Sequence, residues 1–122
     1  MRVLVCGGRD FSDVPALWRK LDEMDRESRI CLLIDGASDD VTGPYIGADY
    51  WGHQWAIVHD RPTSRQHAEW TKLGKSAGPI RNSIMLKQLR PGTDAVLAAP
   101  GGRGTADMVG KADSAGVKII RL

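Results

Sequence analysis

The sequence has few of the residues that stabilise secreted or membrane-embedded proteins. It contains two cysteines, Cys6 and Cys31, each in an apolar run. A disulfide framework needs more cysteines, so we expect two buried free thiols in a reducing compartment. No segment approaches the roughly 18 apolar residues of a membrane-spanning helix, and the apolar run in MRVLVCGG is too short for a signal peptide. These absences predict a soluble, cytoplasmic protein with no membrane partner.

The chain also lacks a dominant charge. Lysine and arginine number 17 against 15 aspartates and glutamates, so the net charge is +2. A mildly basic chain suits anionic small ligands, and the lack of a basic run with interleaved aromatics argues against nucleic acid as a partner. The three histidines, His53, His59 and His67, show no metal-ligand spacing with cysteines or carboxylates. We therefore predict neither a metal site nor a bound cofactor.

Strand and helix patterns alternate along the chain. Its 122 residues suit a single domain over residues 1–122. Strands are predicted at 2–6, 30–34, 62–66, 94–100 and 117–122, and helical patterns begin near residues 12, 47, 78 and 105. The polar segment 35–46 is predicted to be a loop. This order indicates an α/β fold with a mostly parallel sheet of about five strands, covered by helices on both faces.

Apolar spacing assigns a buried face to each predicted helix. The first three faces comprise Val14, Leu17, Trp18, Leu21 and Met24, then Ala48, Trp51, Trp55 and Val58, then Ile80, Ile84, Met85 and Leu89. Ser12 or Asp13 is predicted to cap the first helix, and Thr105 the last. Trp70 lies in the loop-like stretch HAEWTKLGK, where its ring could be unburied and able to stack on a base.

Two glycine-rich loops follow predicted strands. The first, GGRD, covers Gly7–Asp10, and the second, PGGRGT, covers Pro100–Thr105. Either could be a tight turn. However, both precede helices, and in a doubly wound sheet such loops meet where a ligand binds, with bare backbone N–H groups that favour phosphate. The loops are neither a Walker A motif nor the G-x-G-x-x-G fingerprint, which argues against a nicotinamide enzyme.

Charged residues at predicted helix starts have two interpretations. Arg81 opposes the helix dipole in GKSAGPIRN, so it is either a solvated side chain or a bidentate ligand for phosphate. Asp49 and Asp107 are either favourable helix-start charges or carboxylates that face a ribose or act as acid or base.

The motifs VCGGRDF, GAD, GKSAGPIRN and PGGRGTADM, in this order, resemble the YspA-like family of the SLOG superfamily (SMF/DprA and LOG). The resemblance implies a Rossmann-like, three-layer α/β/α fold and a nucleotide or nucleotide-derived ligand. PGGRGT is also similar to the PGGxGT loop of the Lonely guy phosphoribohydrolases, which cleave the base from a nucleoside monophosphate. In those enzymes an arginine on the preceding helix and a glutamate after the loop act in catalysis.

The resemblance and the loop patterns together give a set of candidate site residues. Arg81 matches the helix arginine, but the glutamate position is Met108, and the nearest acid is Asp107. Arg81 and Asp107 are therefore the candidate catalytic residues. The candidate ligand-binding residues are Gly7, Gly8, Arg9, Asp10, Asp49, Lys75, Asn82, Gly101, Gly102, Arg103, Gly104 and Thr105.

Three functions remain open at this point. The first is binding of a nucleotide with its phosphate on PGGRGT and Arg81. The second is an N-glycosidase that releases the base from a nucleoside 5′-monophosphate, with Asp107 or Asp49 stabilising the sugar cation. The third, by analogy with the DprA branch, is single-stranded nucleic-acid binding. Analogy with related folds also implies a homodimer. The segment 35–47 is longer than the GGAxGAD pattern of the family and carries extra aspartates.

Overall fold

The computed structural model describes residues 1–39 and 46–122, and the strands of these residues form one sheet. The strands are β1 (Arg2–Cys6), β2 (Leu32–Asp35), β3 (Thr63–Arg65), β4 (Ala95–Ala98) and β5 (Lys118–Arg121). Their order across the sheet is β3-β2-β1-β4-β5, and every neighbouring pair is parallel. The predicted α/β class and the five-stranded parallel sheet are confirmed.

Helices cover both faces of this sheet. The described residues contain α1 (Val14–Glu27), α2 (Ala48–Val58), α3 (Trp70–Leu73), α4 (Ala77–Leu86) and α5 (Arg103–Ser114), with a 3₁₀ turn at Gly74–Ser76. Val3 and Val5 of β1 pack with α1 and α2, whereas Leu4 and Cys6 pack with α4 and α5. Because successive strand residues point to opposite faces, β1 is buried on both sides. The three-layer, Rossmann-like architecture follows.

The first helix forms as the sequence predicts. Asp13 is its N-cap and accepts a hydrogen bond from the Ala16 backbone N–H at 3.2 Å. Leu17, Leu21 and Met24 are buried on the face towards the sheet. The cap satisfies one of the free N–H groups of the first turn, and the apolar stripe supplies the packing that holds the helix in place.

The predicted buried face of α4 is partly wrong. Met85 and Leu89 are buried, but Ile80 and Ile84 are 42% and 40% exposed. Asn82 takes the inner position, because its side chain hydrogen-bonds α5. This contact rotates the helix so that the two isoleucines face outwards.

Several local predictions also need correction. Val58 is exposed because it ends α2 beyond the buried Trp55, and Cys31 is exposed because it precedes β2 rather than lying inside it. Thr105 lies within α5, whose N-cap is Gly102, so the helix begins earlier than predicted. Trp70 begins the short helix α3 rather than lying in a loop. Of the predicted loop 35–46, residues 40–45 lie outside the described residues.

The chain changes direction at the centre of the sheet. From β1 it passes to β2 on one side, and it later returns to β4 on the other side. In such sheets a crevice opens between the two central strands at their carboxyl ends. None of the helices in residues 1–39 and 46–122 has the length and apolarity needed to cross a bilayer.

Candidate functional site

The two glycine-rich loops meet at this crevice. The Gly8 backbone N–H donates a hydrogen bond to the Pro100 carbonyl at 2.7 Å, and the Ala99 N–H donates to the Cys6 carbonyl at 2.8 Å. The loops that follow β1 and β4 are therefore bonded directly to each other. The start of α2 joins them, because the Ala48 N–H donates to the Gly8 carbonyl at 3.1 Å.

A cavity of about 500 Å³ opens beside these loops. This volume lies within the roughly 300–1,000 Å³ typical of small-molecule sites. Of the predicted site residues, all except Gly101 line it: Gly7, Gly8, Arg9, Asp10, Asp49, Lys75, Arg81, Asn82, Gly102, Arg103, Gly104, Thr105 and Asp107. The structure brings these residues together around one space. Their role in binding stays a prediction.

The glycines of PGGRGT have different reasons to be glycine. A Cβ on Gly101 would lie 2.8 Å from the Gly8 nitrogen, so this position needs glycine for the contact between the loops. A Cβ on Gly102 or Gly104 would meet no atom within 4 Å. These two residues therefore present bare backbone to the cavity, at the N-terminus of α5.

Arg81 is held firmly at the wall of the cavity. Its Nη1 donates to the Gly36 carbonyl at 2.7 Å, and its Nε donates to Asn82 Oδ1 at 3.1 Å. A Cβ on Gly36 would lie 2.8 Å from Nη1, so the glycine directly after β2 leaves room for the guanidinium in this position. Burial lowers the pKa of Arg81 below its usual range, although the group stays charged at neutral pH.

Asp49 lies on the floor of the cavity as a buried carboxylate. Its Oδ2 accepts the Ser38 backbone N–H at 3.1 Å. Burial raises the pKa of Asp49, and the hydrogen bonds from Ser38 and the charge of Arg81 oppose that rise. A carboxyl group in such surroundings keeps its proton to a higher pH than a surface aspartate does.

Asp35 is a second buried carboxylate, which the sequence analysis placed in a loop. It ends β2, is fully buried, and accepts the Ala37 N–H at 2.8 Å and Arg65 Nε at 3.0 Å. Burial and the neighbouring charge of Asp49 raise the pKa of Asp35 from 3.8 to about 7. The sequence did contain a signal for this residue, an aspartate directly after the buried run LLI. A charged residue at the carboxyl end of a strand in a parallel sheet lies at the edge where ligands bind.

Asp107 is committed to contacts within the protein. Its Oδ2 accepts Lys111 Nζ at 2.6 Å and Asn82 Nδ2 at 3.0 Å, while Asn82 Nδ2 also lies 3.1 Å from the Gly104 carbonyl. Burial raises the pKa of Asp107, but the hydrogen bonds from Lys111 and Asn82 outweigh it and bring the pKa below 3.8. Asp107 is thus a carboxylate at neutral pH and not a proton donor.

The position of the hydrolase glutamate does not face the cavity. Met108 is fully buried between α5 and the sheet, where it packs with Leu4 and Val96. Asp107, one residue earlier on α5, lines the cavity instead. The sequence differs from PGGxGTxxE in having methionine at the glutamate position. The carboxylate that lines the cavity therefore comes from Asp107, one residue earlier, and it is hydrogen-bonded by Lys111 and Asn82.

Within the described residues, no group of three histidine, cysteine, aspartate or glutamate side chains is arranged to hold a metal ion.

Comparison with known proteins gives one family. The sequence model of YAcAr, the YspA, cpYpsA-related SLOG family, matches residues 1–73. A search of curated proteins gave no match. The matched segment includes GGRD and Asp49 but ends before Arg81 and PGGRGT. Because it spans more than half of the 122 residues, the chain belongs to the YspA, cpYpsA-related SLOG family.

Proposed function

We propose that this protein binds a nucleotide or a nucleotide-derived ligand, with a phosphate on the PGGRGT loop beside Arg81. Membership of the SLOG family suggests a nucleotide-related ligand. One observation carries the proposal. The two glycine-rich loops meet where the chain changes direction in the sheet, and they line the same cavity as Arg81, which is held by the Gly36 carbonyl.

The electrostatics of the cavity favour an anion at the start of α5. The first turn of a helix has N–H groups without helical partners and a partial positive charge. Gly102 and Gly104 leave room for close approach there, and Arg81 and Lys75 add full positive charges to the lining. A guanidinium can donate two parallel hydrogen bonds to a phosphate. The GGRD loop then faces the ribose or a second phosphate.

Substitution of Gly104 tests the phosphate position. Gly104→Ala adds a methyl group to the cavity wall, and we expect it to weaken ribose 5-phosphate binding roughly tenfold, as overpacking of a tight contact does. Alanine is also a better helix former than glycine, so the free energy of unfolding should rise by about 0.5–1 kcal/mol. Calorimetric titration and urea denaturation measure the two effects.

Gly110→Ala is the matched control. Gly110 lies on the same helix, its added Cβ would also meet nothing within 4 Å, and it does not line the cavity. We expect a similar gain in stability with unchanged binding. Equal affinity of both variants for ribose 5-phosphate would place the phosphate elsewhere. No binding of any mononucleotide or ribose 5-phosphate to the wild type would refute the proposed function.

A second candidate function is N-glycoside hydrolysis, and the buried carboxyl of Asp49 favours it. In this reaction the C1′–N bond breaks, its electron pair leaves with the base, and water adds to C1′. Asp49 would accept the proton of that water and pass it on to the released nitrogen of the base, so that the carboxylate is restored. The raised pKa of Asp49 makes this carboxylate a stronger base than a surface aspartate. Asp107 is a weaker candidate, because Lys111 and Asn82 both hydrogen-bond its Oδ2 and its pKa is lowered.

An assay for the release of free base from nucleoside 5′-monophosphates tests this second function, with chromatography to detect the base. We expect Asp49→Asn to lower the rate at least about 100-fold, since removal of an acid or base group typically costs that much. Asp107→Asn should retain most of the activity and serves as the control. Base release that survives Asp49→Asn would exclude the role of Asp49. Binding without release would leave nucleotide binding as the function.

A further inference from the structure

Three of the four tryptophans have a structural role that explains them. Trp55 is fully buried in the core between the sheet, α1 and α2, and Trp18 and Trp51 pack against the same core. Trp70 belongs to neither described core cluster and is 37% exposed. It begins α3, a four-residue helix with no buried residue. Core packing therefore does not account for this tryptophan.

The ring of Trp70 lies at the edge of the cavity. Among the described residues that line the cavity, Trp70 supplies the one aromatic side chain. A Cβ on Gly78 would lie 3.1 Å from Trp70 Cη2, so the ring rests against bare backbone at the start of α4. Gly78 thereby lets the indole approach the start of α4 closely, and Arg81 follows three residues later on the same helix.

The indole ring is in contact with a planar cationic side chain. The Cζ atom of Arg9 lies 5.6 Å from the centroid of the Trp70 ring, within the range of a cation–π interaction. Arg9 is exposed and comes from the GGRD loop, which also lines the cavity. A flat guanidinium from across the cavity thus already reaches the indole. Since Arg9 is a solvent-exposed side chain, a ligand ring can share or take its place.

We propose that Trp70, with Arg9 beside it, forms the subsite that stacks on the planar nitrogen heterocycle of the ligand. The inference rests on the proposed nucleotide-binding function and assigns the base end of that ligand. Every nucleobase has a π-face that stacks on indole, and arginine both stacks on bases and donates hydrogen bonds to their edges. The phosphate at the start of α5 and the base at α3 then bind to different elements that line the same cavity.

Calorimetric titration of three proteins tests the inference: the wild type, Trp70→Leu and Trp70→Phe. Each is titrated with AMP, GMP, CMP, UMP and ribose 5-phosphate. Leucine keeps apolar bulk but removes the aromatic face. We expect it to weaken the best-bound mononucleotide about tenfold, as loss of one base–aromatic stack does, and to leave ribose 5-phosphate within about twofold. Phenylalanine keeps a stacking face and should retain most of the affinity.

Intrinsic fluorescence gives an independent readout. A base stacked on Trp70 should quench part of the wild-type emission, and Trp70→Phe should abolish that quenching while calorimetry still reports binding. Trp51→Phe is the control, because Trp51 packs against the core and does not line the cavity. Its quenching by nucleotide should match that of the wild type.

The outcomes separate this inference from the proposed function. Wild-type protein that binds ribose 5-phosphate as tightly as every mononucleotide overturns the base subsite and leaves phosphate binding intact. Equal losses for mononucleotide and ribose 5-phosphate in Trp70→Leu, or quenching that persists in Trp70→Phe, also overturn it. Wild-type protein that binds none of the five ligands overturns both proposals.

Discussion

Gly7→Ala is expected to lower the free energy of unfolding by about 3 kcal/mol, at the upper end of the usual cost of overpacking. A Cβ on Gly7 would lie 2.7 Å from the Cβ atoms of both Ala48 and Ala99. Neither methyl group can rotate away, because each is fixed directly to the backbone. For a chain of this size the midpoint of thermal unfolding should fall by roughly 10 °C. Differential scanning calorimetry and urea denaturation measure the change.

A double-mutant cycle with Ala48→Gly identifies the source of this cost. Removing the Ala48 methyl group relieves one of the two close contacts, so the double variant should be more stable than the sum of the single effects by about 1 kcal/mol or more. Additive effects would contradict the assigned contact. A loss below about 0.5 kcal/mol for Gly7→Ala alone would show that β1, α2 and the second loop can separate at little cost.

The second large effect concerns pH. Because the folded-state pKa of Asp35 is raised from 3.8 to about 7, the folded protein binds a proton that the unfolded chain has already released. The wild type should therefore be most stable, relative to Asp35→Asn, below pH 4. This relative stability should fall by about 4 kcal/mol as the pH rises from 4 to 7, and then level off. Urea denaturation of both proteins across pH 3–9 measures it.

The charged groups around Asp35 affect how the stability of the wild type and of Asp35→Asn depends on pH. Arg65 hydrogen-bonds both Asp35 and Asp39, Asp49 repels the Asp35 carboxylate, and His53 Nδ1 lies 3.8 Å from Asp35 Oδ2. Burial, followed by the charge of Arg65, lowers the pKa of His53 from 6.5. Protonation of the imidazole therefore contributes its own slope to the plot of stability against pH, below pH 6.5.

His53→Gln in both backgrounds removes this slope. If the stability difference between wild type and Asp35→Asn is flat from pH 4 to 7 in that background, Asp35 titrates at an ordinary pKa and the argument for it is wrong.

The sequence was most informative where structure depends on neighbours along the chain. The apolar runs at Arg2–Cys6 and Ala95–Ala98 predicted buried strands, and the glycine loops after them predicted a shared crevice. Both hold in the structure because period, turn residues and strand ends are local properties of the chain. The crevice follows from them once the sheet is parallel.

Contacts between distant residues set the limits of that prediction. Asp35 can be buried because Arg65 of β3, thirty residues later in the chain, donates a hydrogen bond to it. No local sequence pattern predicts that these two residues form a pair. The rotation of α4 depends on Asn82 bonding to α5, which overrides the apolar spacing of Ile80 and Ile84. In both places a polar network, rather than hydrophobic periodicity, decides which side chain is inside.

The hydrogen bonds around Gly8 and Asp49 also bear on how the chain can change length. The Ala48 N–H is bonded to the Gly8 carbonyl, and Asp49 is bonded to the Ser38 N–H. The chain before residue 39 and the chain after residue 46 are therefore anchored to each other and to the first loop. An insertion in GGRD would therefore displace α2 and the second loop together, because both are bonded to Gly8.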